Sequence, residues 1–173
     1  IVQSPLPTPA ELGRYYGTYY THASLGPVAR WQWRAEGRLE ALLHGGLRAA
    51  DGCTPAPLET LRSTNLLLNA AGVVPGGERP SALDVGCGNG ASLVMLSSFG
   101  YAEAKGVETD ERACEAARGL GFEVLPGTAE AIPYPDASFD LVFLRHVIEH
   151  VTDPVRAIRE CLRVIKPGGF LSL

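Results

Sequence analysis

The sequence predicts an α/β protein: a doubly wound, mostly parallel sheet with helices in front of it. Three observations predict it. From Ser81 onward short apolar runs alternate with helix-forming stretches, which is the pattern of βα units in a parallel sheet. The first run, Ala82-Leu83-Asp84-Val85, passes directly into a loop rich in glycine. Carboxylates, Asp84 and Glu108, stand at the ends of the first two runs, and in such sheets ligands bind beyond the carboxyl ends of the strands.

The elements follow in order. Thr8-Pro9-Ala10-Glu11 is a helix start in which Thr8 caps, Pro9 opens the first turn and Glu11 completes a capping box. Residues 27–49 have a helix composition weakened by Gly37, Gly45 and Gly46, and 57–71 make a third helix closed by Gly72. After the strand at 82–85, residues 90–98 read as a helix. Residues 102–108 form a second strand, and Asp110 caps the helix after it. Phe122-Glu123-Val124-Leu125 is the third strand and Phe139–Leu144 the fourth. Residues 154–165 make a helix expected to stop before Lys166-Pro167-Gly168-Gly169, leaving Phe170–Leu173 to begin a fifth strand. Residues 1–78 are thus a helical cap region and 79–173 an α/β core, together one domain.

Composition narrows the function. With 46% hydrophobic and 20% charged residues, the 173-residue chain has the make-up of an ordinary globular protein. A net charge of -4 provides no global basic field to recruit nucleic acid or an acidic membrane. No stretch approaches the roughly 18 apolar residues of a membrane helix. The N-terminal Ile-Val-Gln-Ser-Pro has no signal core and no initiator Met, so the chain is expected to be cytoplasmic and trimmed. Cys53, Cys87, Cys114 and Cys161 have no metal-ligand spacing and read as reduced thiols.

The strongest chemical signal is Leu83-Asp84-Val85-Gly86-Cys87-Gly88-Asn89-Gly90. Glycines between a strand and a helix let a ligand approach the backbone closely. Asp84 would repel the pyrophosphate of a dinucleotide and attract a ligand carrying an ammonium and a sulfonium. Glu108 can accept both hydroxyls of a ribose. With these residues in place, Ala82–Gly90 and Gly106-Val107-Glu108 resemble the first two motifs of class I S-adenosylmethionine (SAM)-dependent methyltransferases, in their ubiquinone-biosynthesis-like, small-molecule branch. Gly127–Asp140 is similar to the segment that wraps the adenine, and Leu162–Gly169 to the loop before the fifth strand. The resemblance covers about residues 80–173 and implies a Rossmann-like methyltransferase fold with SAM as cofactor and S-adenosylhomocysteine as product. It implies that Asp84, Gly86, Cys87, Gly88 and Gly90 cradle the methionine end, and that Glu108 and Thr109 take the ribose. Thr128, Ala129 and Glu130 would line the adenine, with Arg145 beside the cofactor. Thr128 stands where the family often has Asp; its hydroxyl can still accept, and Glu130 is close by.

Arg145-His146-Val147-Ile148-Glu149-His150 follows the fourth strand. His146-x-x-Glu149-His150 matches an inverted zincin pattern, but that motif needs a long helix, and this one follows a strand. Two readings stay open. Either His146 walls the cofactor pocket while Glu149 and His150 pack and hydrogen-bond, or His146 or His150 is a general base for an acceptor hydroxyl. In the related branch a Glu-x-x-Glu-His motif binds a divalent ion; His146 replaces its first Glu, so no metal is expected. Tyr15, Tyr16, Tyr19 and Tyr20, with His22, either pack on the sheet or form a lid over the cofactor. Arg30, Arg34 and Arg38 share one helix face, either solvated or forming a cationic wall for an anionic acceptor. The family has a seven-stranded sheet, so the chain is expected to lack the last strands. The exposed edge of the fifth would then pair with a second copy or a partner chain.

Overall fold

The computed structural model describes residues 78–173, together with residues 26, 27, 30, 31 and 34. The tyrosines at 15, 16, 19 and 20, His22, Arg38 and Cys53 lie outside the described residues. Pro27, Arg30, Trp31 and Arg34 are helical, as their composition predicts, with the Arg30 N–H donating to the Gly26 carbonyl at 3.0 Å.

From Ser81 the chain alternates strand and helix. The order is β1 (Ser81–Val85), α1 (Ala91–Phe99), β2 (Glu103–Glu108), α2 (Glu111–Arg118), β3 (Glu123–Pro126), β4 (Phe139–Leu144), a 3-10 turn (Ile148–His150), α3 (Pro154–Val164) and β5 (Ile165–Ser172). All four strand pairings are parallel, in the spatial order β3-β2-β1-β4-β5. Alternate side chains of each central strand feed opposite layers. Ala82, Leu141 and Phe143 pack with Leu93 and Met95 of α1 and with Cys114 and Ala117 of α2. Leu83, Val85, Val142 and Leu144 pack with Ala157, Cys161 and Val164 of α3. The doubly wound sheet expected from the sequence is what forms. The chain runs outward from β1 to β3 and then returns to β4 on the other side of β1. This reversal opens the crevice between the carboxyl ends of β1 and β4.

Local chemistry sets the helix starts. Asp110 caps α2 by accepting from the N–H groups of Arg112 and Ala113 at 2.8 and 3.2 Å, as its position predicts. Asp153 caps α3 in the same way through Arg156 at 3.0 Å, with Pro154 in the first turn.

The fifth strand corrects the sequence reading. The helix ends at Val164, and β5 runs for 8 residues through Lys166-Pro167-Gly168-Gly169 rather than beginning after it. The register passes from Phe139↔Ile165 to Leu141↔Phe170, so the extra residues bulge out of the ladder. Gly168 takes φ +82°, and a Cβ on Gly169 would lie 2.9 Å from the Asp140 carbonyl, so the glycines shape a bulge and do not break the strand. β3 starts at Glu123 rather than Phe122 and runs on to Pro126.

A polar staple holds the amino ends of β1, β4 and β5 together. One carboxylate oxygen of Asp140 accepts from the Ser81 N–H and hydroxyl, both at 2.8 Å, and from Lys166 Nζ at 2.9 Å. Burial raises the Asp140 carboxyl's pKa, but the hydrogen bonds from Ser81 and Lys166 outweigh it and hold it below the usual value. A depressed pKa adds stability above the unfolded value near 3.8, and that stability is lost as pH falls through the folded pKa. Asp140→Ala is expected to cost about 1–2 kcal/mol in urea denaturation at neutral pH. The difference from the parent should shrink when the measurement is repeated near pH 3.

Candidate functional site

The loop after β1 is built by backbone geometry. Gly86, Gly88 and Gly90 take φ of +75°, +51° and +85°, a region other residues enter at a cost. The N–H groups of Gly86 and Cys87 both donate to the Val107 carbonyl, at 2.7 and 3.1 Å, which turns the chain over the end of β2. At Gly86 a Cβ would overlap the Val147 side chain, so the loop and the segment after β4 are in direct contact. The Cys87 side chain turns inward, packing in the core against Gly106, where a Cβ would come within 2.5 Å of its sulfur. Burial, and then the neighbouring Asp84, push the thiol's pKa far up, so Cys87 contributes backbone and packing rather than a nucleophile.

The two carboxylates have different surroundings. Glu108, 8% exposed, accepts hydrogen bonds on both oxygens. Its Oε2 accepts the Gly88 N–H at 2.9 Å, while Oε1 accepts the Thr109 N–H at 2.6 Å, the Thr109 hydroxyl at 3.0 Å and the Asp110 N–H at 3.0 Å. A carboxylate offers about four lone-pair sites, so Oε2 keeps room for a ligand hydroxyl. Asp84, 2% exposed, has no hydrogen-bond partner on Oδ2, and the Arg145 Nε at the end of the adjacent strand also lacks one. Burial, and then the charge of Glu108, push the Asp84 carboxyl up to about 8, although Arg145 and the Ser92 hydroxyl pull it down. Both unpaired atoms are shielded from solvent, so what they offer the crevice is chiefly electrostatic field.

On the β3 side, the Gly127 N–H donates to the Glu108 carbonyl at 3.0 Å, and the Ala131 N–H to that of Thr128 at 3.2 Å. Thr128 is exposed and Ala129 is buried. Glu130 is turned away from this edge, because its Oε1 accepts from the Thr152 N–H and hydroxyl at 2.9 and 3.0 Å. Burial raises its pKa, but those bonds hold it below the ordinary carboxylate value. After β4, His146 sits at φ +54°, exposed, with Nδ1 3.4 Å from Glu149 Oε1. His150 Nε2 is 4.0 Å from the same oxygen, too far for a hydrogen bond. Among the described residues no group of three or more His, Cys, Asp or Glu could hold a metal ion.

A family model described as a methyltransferase domain matches residues 83–173, more than half of the chain. The chain belongs to the SAM-dependent methyltransferases. It is 30% identical over 175 residues to the 27-O-demethylrifamycin SV methyltransferase of Amycolatopsis mediterranei, covering 96% of this chain and 58% of that one. It is also 30% identical over 96 residues to a ubiquinone biosynthesis O-methyltransferase of Parvibaculum lavamentivorans, covering 53% and 38%. A solved SAM-dependent methyltransferase from Thermotoga maritima, described as a possible histamine N-methyltransferase, is similar with a TM-score of 0.52 and 35% identity. That match covers 62% of this chain and 48% of the other. This methyltransferase chain therefore spans less than two thirds of each relative's length.

The family implies SAM as cofactor, and the residues fit it. A glycine cradle, a carboxylate with free acceptor capacity and the shielded, unpaired Asp84 Oδ2 and Arg145 Nε suit a ligand bearing ribose hydroxyls and an amino-acid zwitterion. The structure gathers Asp84, Gly86, Gly88, Glu108, Thr109 and Arg145 around the carboxyl ends of β1, β2 and β4. It does not bring Glu130 or the Cys87 thiol there. Arg30 is half-buried and Arg34 exposed. Sequence reasoning missed Val147, whose methyl group lies against Gly86, since an ordinary valine carries no local signal.

The raised Asp84 pKa has a testable sign. Between 3.8 and about 8 the folded state holds a proton that the unfolded state has lost, so this group's contribution to stability falls as pH rises across that window. Asp84→Asn cannot titrate. In ligand-free urea denaturation the variant should gain stability relative to the parent from pH 5 to pH 9; a pH-independent difference would contradict the assignment.

Proposed function

We propose that this methyltransferase moves a methyl group from SAM to the nucleophilic atom of a small organic acceptor. The observation that carries the reading is Asp84, buried without a partner on Oδ2 beside Arg145 and next to the ribose-type carboxylate Glu108. The Gly86–Gly90 loop would take the methionine end, Glu108 Oε2 a ribose hydroxyl, and Thr128–Ala129 the adenine side. The cofactor supplies an already activated methyl, so the protein's task is in-line placement of the acceptor and exclusion of water. The names of two relatives, a 27-O-demethylrifamycin SV methyltransferase and a ubiquinone biosynthesis O-methyltransferase, support a hydroxyl oxygen as the acceptor atom, against the nitrogen named for an ajmaline N-methyltransferase that is also similar.

For such an acceptor a base is needed, and His146 is our candidate. It is exposed immediately after β4, and Glu149 lies near Nδ1, which leaves Nε2 to receive a proton. Its left-handed backbone in a residue other than glycine is a form of strain that recurs at functional sites. A reducing, cytoplasmic setting is supported by three buried free thiols, Cys87, Cys114 and Cys161. We also propose a helical cap over 1–78 within the same domain.

Two experiments test the reading. Glu108→Gln keeps one acceptor oxygen, and Glu108→Ala removes both. Calorimetry should show SAM affinity falling by about 1.5–3 kcal/mol in the alanine variant and less in the glutamine variant. Unchanged affinity, or preference of the parent for NAD, would overturn the cofactor site. His146→Asn preserves a residue tolerant of left-handed backbone. It should cut turnover roughly 10²–10⁴-fold with SAM affinity intact, whereas unchanged turnover would remove His146 from the chemistry.

A further inference from the structure

The segment between β3 and β4 buries Ala129, Ile132 and Tyr134 in the core but has little regular backbone structure. Its ladder contact is an isolated bridge between Thr128 and Ala131. Pro133 and Pro135 provide no N–H, so the chain from Ile132 to Asp136 can neither join the sheet nor close a helical turn. The carbonyls of Ile132 and Tyr134, each preceding a proline, still need donors.

One guanidinium supplies them. Arg163, in the last turn of α3, donates from Nη2 to the Ile132 carbonyl at 2.8 Å and from Nη1 to the Tyr134 carbonyl at 2.9 Å. Nη1 also reaches Asp136 Oδ1 at 2.7 Å. Nε and Nη2 grip both oxygens of Glu160, one turn earlier, at 2.9 and 2.8 Å. All five N–H groups of the fork are thereby engaged. Glu160 Oε2 adds the Ile132 N–H at 3.0 Å, and the Arg163 carbonyl takes the Ala137 N–H at 2.9 Å.

What the fork holds is in contact with the site. A Cβ on Gly127 would lie 2.9 Å from Pro133 Cδ, so Pro133 rests against the residue whose N–H is bound by the Glu108 carbonyl. The Tyr134 hydroxyl donates to the Gly106 carbonyl at 3.2 Å, two residues before Glu108. A shift of Ile132–Asp136 would therefore be passed to Gly127, Thr128 and the end of β2.

We infer that Arg163, braced by Glu160, is a positioning residue that fixes the Thr128–Asp136 wall on α3 and so sets how sharply the site distinguishes the base of its cofactor. The inference rests on the proposed reading in which this wall flanks the adenine. Adenine carries an amine donor where hypoxanthine carries a carbonyl acceptor, so a wall held in register discriminates between them and a loosened one does not.

The experiment measures the affinities of the parent chain for S-adenosylhomocysteine and S-inosylhomocysteine, and then repeats both with Arg163→Lys. A lysine presents one point charge and cannot bridge two carbonyls and a carboxylate. We expect the parent to prefer the adenosyl compound by tenfold or more, and the variant's preference to fall at least fivefold, chiefly through weaker adenosyl binding. If both affinities fall in proportion, so that the ratio is kept, Arg163 is only structural and the inference is overturned. It is also overturned if the parent binds both compounds equally. A parent that binds neither compound contradicts the cofactor reading itself, which separates the two failures. Should Arg163→Lys not fold, Glu160→Gln removes the negative charge and one of the two oxygens that receive Nε, Nη2 and the Ile132 N–H. It should lower the ratio severalfold, and an unchanged ratio there overturns the inference equally.

Discussion

The carboxyl ends of three strands are tied together at Glu108. Its side chain accepts the Gly88 N–H from the loop after β1 and the Thr109 and Asp110 N–H groups from the turn after β2. Its backbone carbonyl accepts the Gly127 N–H from the segment after β3. A shorter side chain could not span from β2 to Gly88, and a neutral one would give up the stronger, charge-assisted bonds. The crevice is therefore shaped before any ligand enters, and the group that shapes it is one that a ribose would also address.

Asp84 is the counterweight. Placing a second carboxylate near Glu108, out of water, costs free energy that nothing within the fold fully offsets: Oδ2 has no partner and the carboxyl's pKa is driven upward. A sequence selected for stability alone would put an apolar residue on this strand, as at its neighbours Leu83 and Val85. The cost is confined to a place where, in the proposed reading, a cationic ligand would remove it. Function is therefore written into the fold as a local conflict.

Much of this was legible in the sequence. The alternation from Ala82 to Leu144 and the Asp110 cap depend on nearest neighbours and periodicity, and both formed where expected. Asp84 and Glu108 were legible as a pair because strand ends and glycines mark their positions. What escaped is long-range or conformational. Glu130 looks available in sequence, yet its partners lie 22 and 23 residues away at the start of α3. The Arg163 fork reaches back to Ile132 across 31 residues and leaves no periodic trace. Lys166-Pro167-Gly168-Gly169 reads as a strand breaker because local propensity cannot see that the pairings of Ile165 with Phe139 and of Phe170 with Leu141 carry the strand past it as a bulge.

That bulge also determines where the domain can absorb change. The residues from Ile165 to Phe170 face only the short stretch from Phe139 to Leu141, so their surplus length loops out at the amino end of the sheet. Beyond it the register of β5 on β4 is regular: Leu141, Val142 and Phe143 meet Phe170, Leu171 and Ser172 in turn. A residue added to or removed from the loop would alter the bulge and leave those pairings in phase, so Arg145 and His146 at the opposite end would keep their places. The sheet thus absorbs length variation at one end, and the proposed cofactor site lies at the other.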